Sequence, residues 1–310
     1  MDGDMMNVKT TIASVVALAS VALCAAGGAY AASVTQPGET AGLNLATPLP
    51  VGVYLESTQS DGGWRGVDDS KTDWTVAIPA IAWSTPWTFL GARVEGYAAA
   101  PMLSWGIPAL PGQVAGGLVG RNFIDMDVPY ANVGLAWDLG GGFAFSTWGG
   151  SYLPVNNELR FIGFDTYVPN WRNDVAWVGD GWTVAINSVL GFPENDQSEL
   201  HLGKVLPDYV NVDGAVWKTI DKWEVGIVAF GSADISGTGN PLYKKQSQIA
   251  VGGLVGYEFA GITTQVYLTH DVYTDNYFNA DGVTKSYETR VWGRFTIPLW
   301  TAPKEEVSLK

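Results

Sequence analysis

Cysteine and histidine are almost absent from this chain: 310 residues hold one Cys, Cys24, and two His, His201 and His270. Cys24 lies inside an N-terminal export signal, so the exported part has no thiol, which excludes a disulfide scaffold and a cysteine-ligated metal site. The two histidines are far apart in sequence, so neither a close-spaced metal motif nor any cofactor is indicated. Basic charge is also scarce, with Lys+Arg 17 against Asp+Glu 31 and a formal net charge of −14. That balance disfavours nucleic acid and anionic surfaces. Downstream of the signal there is no run of about 18 apolar residues, which excludes helical membrane spans.

The signal itself is legible. Lys9 precedes an apolar stretch from Ile12 to Cys24, and Ala29-Tyr30-Ala31 fits a signal-peptidase site, so residues 1–31 are expected to be removed. Asp2 and Asp4 are unusual in such a region, and Met6 opens a better signal. Lipidation of Cys24 is disfavoured because Leu23 stands where a small residue is needed.

What is abundant is glycine, aromatic residues and alternation. In the last strand Tyr287, Thr289, Val291, Gly293, Phe295, Ile297 and Leu299 alternate with Glu288, Arg290, Trp292, Arg294 and Thr296. Successive strand side chains point to opposite faces, so one face suits lipid while the other carries three charges. The pattern recurs: Val94 and Gly96 oppose Arg93 and Glu95, and Val212, Gly214 and Val216 oppose Asp213 and Ala215. A Lys or Arg at mid-depth on a lipid face costs about 2–4 kcal/mol, which turns the charges inward. The fold expected is all-β, a transmembrane antiparallel up-and-down β-barrel of about twelve strands in the bacterial outer membrane. It forms one domain over residues 32–300, with a short periplasmic tail at 301–310. A soluble two-sheet sandwich is the alternative, but its outer faces should be polar.

The strands expected from period 2 are 50–59, 73–83, 88–99, 130–139, 143–152, 159–168, 181–191, 208–219, 222–234, 247–259, 261–273 and 286–299. Short connections at 84–87, 140–142, 219–222 and 259–261 alternate with longer ones, as barrels with periplasmic turns and outer loops require. Two junctions break the rule: 153–158 is a short outer loop, and 169–180 a long inner turn. Trp74, Trp83, Trp87, Trp137, Trp182, Trp217, Trp223 and Trp300 are candidates for interfacial girdles. Expected lumen-lining residues are Arg93, Glu95, Asp213, Glu288, Arg290, Trp292 and Arg294. Met102, Leu103, Trp105, Ile107 and Leu110, in the long segment 100–129, are expected to fold against the mouth as a greasy entrance or constriction.

The order of segments also resembles a known family. Residues 125–137, from Asp125 to Trp137, followed by a glycine turn, a strand from Phe143 to Gly150 and Tyr152-Leu153-Pro154-Val155, carry the best-matched stretch. Asp213-Gly214-Ala215-Val216-Trp217 with the hairpin after it, and the strand from Gly252 to Tyr257, carry two more. On these the chain resembles the outer-membrane barrels of the phenol meta-pathway degradation family. Pro154-Val155-Asn156 departs from the Pro-Thr-Gly that similar proteins tend to have. The resemblance implies uptake of aromatic or other hydrophobic compounds, and no catalytic residues.

Three functions follow in order. The first is passive uptake of small hydrophobic or aromatic solutes, without energy coupling because no nucleotide site or plug domain is recognisable. Its partners are outer-membrane lipid and the solute. The second is a structural or adhesion barrel sealed by an interior mesh of Glu95, Glu288, Arg290 and Arg294. The third is a lipid enzyme using His201 or His270 beside a serine.

Overall fold

The computed structural model describes residues 33–65, 71–107, 121–155, 166–194, 204, 206–239, 243–277 and 285–303. The signal at 1–31 and the tail beyond 303 lie outside them, as does His201. The described residues form fourteen strands: β1 (Gly52–Arg65), β2 (Lys71–Phe89), β3 (Ala92–Ala99), β4 (Met102–Ile107), β5 (Arg121–Met126), β6 (Tyr130–Gly140), β7 (Phe143–Tyr152), β8 (Val168–Gly179), β9 (Trp182–Gly191), β10 (Tyr209–Ile220), β11 (Trp223–Asp234), β12 (Ser247–Phe259), β13 (Ile262–Asp275) and β14 (Glu288–Thr301).

All pairings are antiparallel, and β1 pairs with both β14 and β2, closing the sheet. Along β2, β4 occupies the first part (Trp74 to Ala77) and β3 the second (Ala80 to Phe89), while β5 and β6 lie outside them in the same order. Each couple is therefore one wall strand interrupted near a proline, Pro101 in one and Pro129 in the other. Proline cannot donate to the ladder, so the break falls there. The ladder resumes on either side through Ala100 N–H to Pro79 O (3.1 Å) and Asp127 N–H to Pro101 O (2.9 Å). Counted this way, the ring is a closed 12-strand barrel.

Five connections are two-residue turns: Leu90-Gly91, Gly141-Gly142, Asp180-Gly181, Asp221-Lys222 and Ala260-Gly261. In four of them both residues have positive φ, the type I′ geometry whose twist matches the strands. These turns share one end of the barrel with the start of β1 and the end of β14. By the rule for outer-membrane barrels, that end is periplasmic.

Three expectations about the wall need correction. The sixth wall strand among the described residues is Val168–Gly179, so the expected inner turn at 169–180 is strand and the turn is Asp180-Gly181, while most of the strand expected at 159–168 lies outside the described residues. The long inner turn, one of the two exceptions to the loop rule, vanishes. The supposed turn at 84–87 belongs to β2, which runs to Phe89 with a register shift between Ser84 and Thr88. The segment 100–129 does not fold into the lumen where it is described: 102–107 and 121–126 prolong the wall.

The outer surface is apolar, with Ile186, Ile227, Val255, Val266, Leu268 and Val291 among its exposed residues. Exposed Trp87, Trp182, Trp223 and Trp300 stand at or beside the periplasmic turns, where an indole can meet lipid and water together. Trp74 and Trp217 are corrections to the girdle. Trp217 is buried in the interior, and Trp74 donates its Nε1–H inward to Glu288 at 2.9 Å. Their position parity is that of buried Asp213 and Val76, which was the signal to read. Leu268, 52 % exposed near the middle of β13, tests the facing. Leu268→Arg is expected to cost about 2–4 kcal/mol. Urea unfolding in lipid vesicles measures it.

Candidate functional site

A twelve-stranded ring encloses more space than inward side chains alone fill. Here residues 33–51, ahead of β1, run through the lumen from the outer half to the periplasmic rim. At the outer end Thr35 Oγ1 lies 2.6 Å from the Tyr152 hydroxyl and 2.9 Å from that of Tyr209. Midway, Asp213 accepts from Gly38 N–H (3.0 Å), Thr40 N–H (2.9 Å) and the Thr40 hydroxyl (2.7 Å), which fixes a turn. Near the periplasmic end Leu49 N–H donates to Glu95 Oε1 at 2.9 Å, and the Ser84 hydroxyl to Leu49 O at 2.8 Å. The segment therefore has partners on opposite walls, which satisfy many of its backbone groups without its joining the sheet.

Two glycines let it bend there. Gly38 (φ +88°) sits so close to the aromatic wall that a Cβ would lie 2.7 Å from the Phe230 ring and 3.0 Å from Trp292. At Gly42 (φ +84°) a Cβ would lie 2.6 Å from Leu254. The wall is stacked from behind: Tyr267 and Trp292 are 5.3 Å apart and nearly parallel, with Phe230 edge-on at 6.4 Å.

Two arginines grip the segment. Arg172 pairs with Glu39 at 3.3 Å, donates to the Tyr152 hydroxyl at 2.8 Å and lies 5.0 Å over Tyr130. Arg294 donates to Ala41 O (2.8 Å) and Glu39 O from the segment. From the wall it takes the Thr58 hydroxyl (2.8 Å), Gln265 Oε1 (3.2 Å) and the Tyr267 hydroxyl (3.1 Å). Arg172 stands on β8, the strand misplaced from sequence.

The seven charged or aromatic positions read as interior divide into three groups. Glu288 and Arg290 form a buried pair in the outer half, where Arg290 also donates to the Ser60 hydroxyl (2.9 Å) and lies 4.8 Å over Trp74. Asp213, Trp292, Arg294 and Glu95 contact the internal segment instead, so the four-membered mesh of Glu95, Glu288, Arg290 and Arg294 is not assembled. Arg93 is half-buried at the periplasmic rim, donating to Thr85 O at 3.1 Å. Of the five entrance residues, Met102 is exposed on the outside and Leu103 is buried among Val34, Val76 and Val128 below the mouth. Trp105 and Ile107 are backbone members of β4, and Leu110 lies outside the described residues. The sequence reading missed the whole segment 33–51.

Beside the segment a cavity of about 240 Å³ remains. It runs from Glu39 and Tyr130 at mid-depth to Glu224 and Thr263, each the second residue after a periplasmic turn. Its walls combine Ile78, Tyr97, Trp148 and Trp217 with Glu56, Glu95 and Asp174. No group of metal-ligating side chains occurs among the described residues. His270 faces outward, with Nδ1 2.8 Å from the Thr289 hydroxyl rather than from a serine.

A closed ring with an apolar exterior, periplasmic type I′ turns and a polar interior defines an outer-membrane β-barrel. The chain belongs to the family described as "Putative MetA-pathway of phenol degradation", whose model matches residues 56–287. Among solved structures it is similar to the COG4313 outer membrane channel from Pseudomonas putida F1, with 11% identity and a TM-score of 0.63 over 82% of this chain and 98% of that one. A weaker likeness is to the NanC porin, at 10% identity and TM-score 0.48 over 79% of this chain and 100% of that one. No curated protein matches the sequence.

Proposed function

We propose that the barrel is a passive channel for small hydrophobic or aromatic molecules, with residues 33–51 as its restriction. The observation that carries this reading is the cavity of about 240 Å³, walled by Leu, Ile, Tyr and Trp side chains and reaching the periplasmic rim. Pockets that take apolar ligands have such walls with a few polar groups among them. The family's link to phenol degradation agrees with it. Solute leaves downhill into the periplasm, and the segment sets how often the path to the outer half is open.

Planar-bilayer recording with and without aromatic solutes tests it. Small unitary currents that added solute interrupts are expected; neither current nor solute flux would defeat the reading. A sealed structural barrel is the second reading, favoured by the buried Glu288–Arg290 pair in the outer half and by the segment crossing the lumen. It requires the same silence from a form lacking the segment.

A further inference from the structure

Resting on the channel reading, we infer that the lumen cavity prefers solutes joining an aromatic or aliphatic body to a protonated amine, and discriminates against carboxylates. Five carboxylates line it, Glu39, Glu56, Glu95, Asp174 and Glu224, against one cation, Arg172. Glu39 and Arg172 pair with each other, which leaves four acidic groups with no Lys, Arg or His within 4.0 Å among the described residues. Arg294, close by, spends its donors on the five neutral acceptors described above.

The hydrogen-bond partners of these four carboxylates are neutral donors, and Glu95 accepts Leu49 N–H at 2.9 Å. Glu56, buried at 7 % exposure, accepts a long hydrogen bond from the Tyr97 hydroxyl at 3.4 Å. Asp174 accepts the Ser146 hydroxyl at 2.8 Å and also bonds the Trp148 side chain and the Ser188 backbone, and Glu224 accepts Gln265 Nε2–H at 2.8 Å. Asn132 lines the same cavity at 4 % exposure, with its Oδ1 turned away from the open space and packed over the bare Cα of Gly150. Among the other lining residues are the rings of Tyr54, Tyr97, Trp148 and Trp217. Ring faces are negative, so they add to the attraction for a cation and to the rejection of an anion. An ammonium with an apolar body matches both features: it neutralises Glu56 or Asp174 and packs on the rings. A carboxylate of the same size meets like charge in a desolvated space.

Three solutes with one carbon skeleton separate the possibilities: 2-phenylethylammonium, 2-phenylethanol and phenylacetate, each added on the periplasmic side of the full-length channel in planar bilayers. The ammonium is expected to block current at concentrations about tenfold lower than the alcohol, with phenylacetate weakest. Glu56→Gln and Asp174→Asn, made separately and checked for heat-modifiable migration on gels, are each expected to narrow the gap between ammonium and alcohol. Equal block by all three solutes, or strongest block by phenylacetate, overturns the inference and leaves the channel reading standing. Current that none of the solutes touches, or no current at all, overturns both.

Discussion

Deleting residues 33–48 is expected to raise single-channel conductance roughly fivefold or more, toward that of an unobstructed twelve-stranded barrel. The wall should survive, because its ladders run between strands and none includes the segment. What the deletion removes is the material between opposite walls: Thr35 from Tyr152 and Tyr209, Thr40 from Asp213, Glu39 from Arg172. Those inward groups are polar or charged, and they then meet water instead of being stranded. Gly38→Val should reach a similar end with the chain intact. A left-handed φ costs a side chain about 1–3 kcal/mol. The valine would also collide with Phe230 and Trp292, so the segment is expected to detach and the current to flicker between two levels. Conductance unchanged by either alteration would mean that another element seals the bore.

The barrel wall was legible because its energetics are local to each strand. In β14 a lipid face cannot hold Glu288, Arg290 or Arg294, so one parity decides the facing of the whole strand. β8 resisted for the opposite reason. Its inward series Val168, Asn170, Arg172, Asp174 and Ala176 mixes charge with apolar groups, and its outward series includes Pro169 and Asn173, so it reads as a loop. Partners distant in sequence, Glu39 and Tyr152 for Arg172 and Ser146 for Asp174, make an Arg and an Asp acceptable inside.

The internal segment was illegible on the same grounds. Apart from a few local turns, its hydrogen bonds go to distant residues, among them 84, 95, 146, 152, 172, 187, 209, 213, 265 and 294. One sign was available. From 33 to 51 the only charged residue is Glu39, too few for a free tail in water, while Pro37, Gly38 and Gly42 forbid a regular strand. The carboxylates of the cavity were partly visible, since Glu56 follows the parity of Tyr54 and Thr58; their convergence needed the closed ring.

Arg294→Met is expected to unseat the segment while Arg290→Met is not, although both arginines are buried on β14 four residues apart. Methionine keeps much of the length of Arg294 and removes every donor, so the carbonyls of Glu39 and Ala41 lose their partner. Each buried acceptor left unmatched costs about 1–3 kcal/mol, and water from the neighbouring cavity holds the total toward the low end. Even about 2 kcal/mol multiplies the undocked fraction by roughly 30, enough to appear in single-channel records as frequent large openings. Arg290 touches Glu288, Ser60 and Trp74, all in the wall, and nothing in the segment. Its replacement strands the Glu288 carboxylate, a loss of about 3–5 kcal/mol that falls on the barrel itself. Urea unfolding should then shift for Arg290→Met while its conductance stays low. If the two variants open the channel equally, the grip of Arg294 on the Glu39 and Ala41 carbonyls is not what closes it.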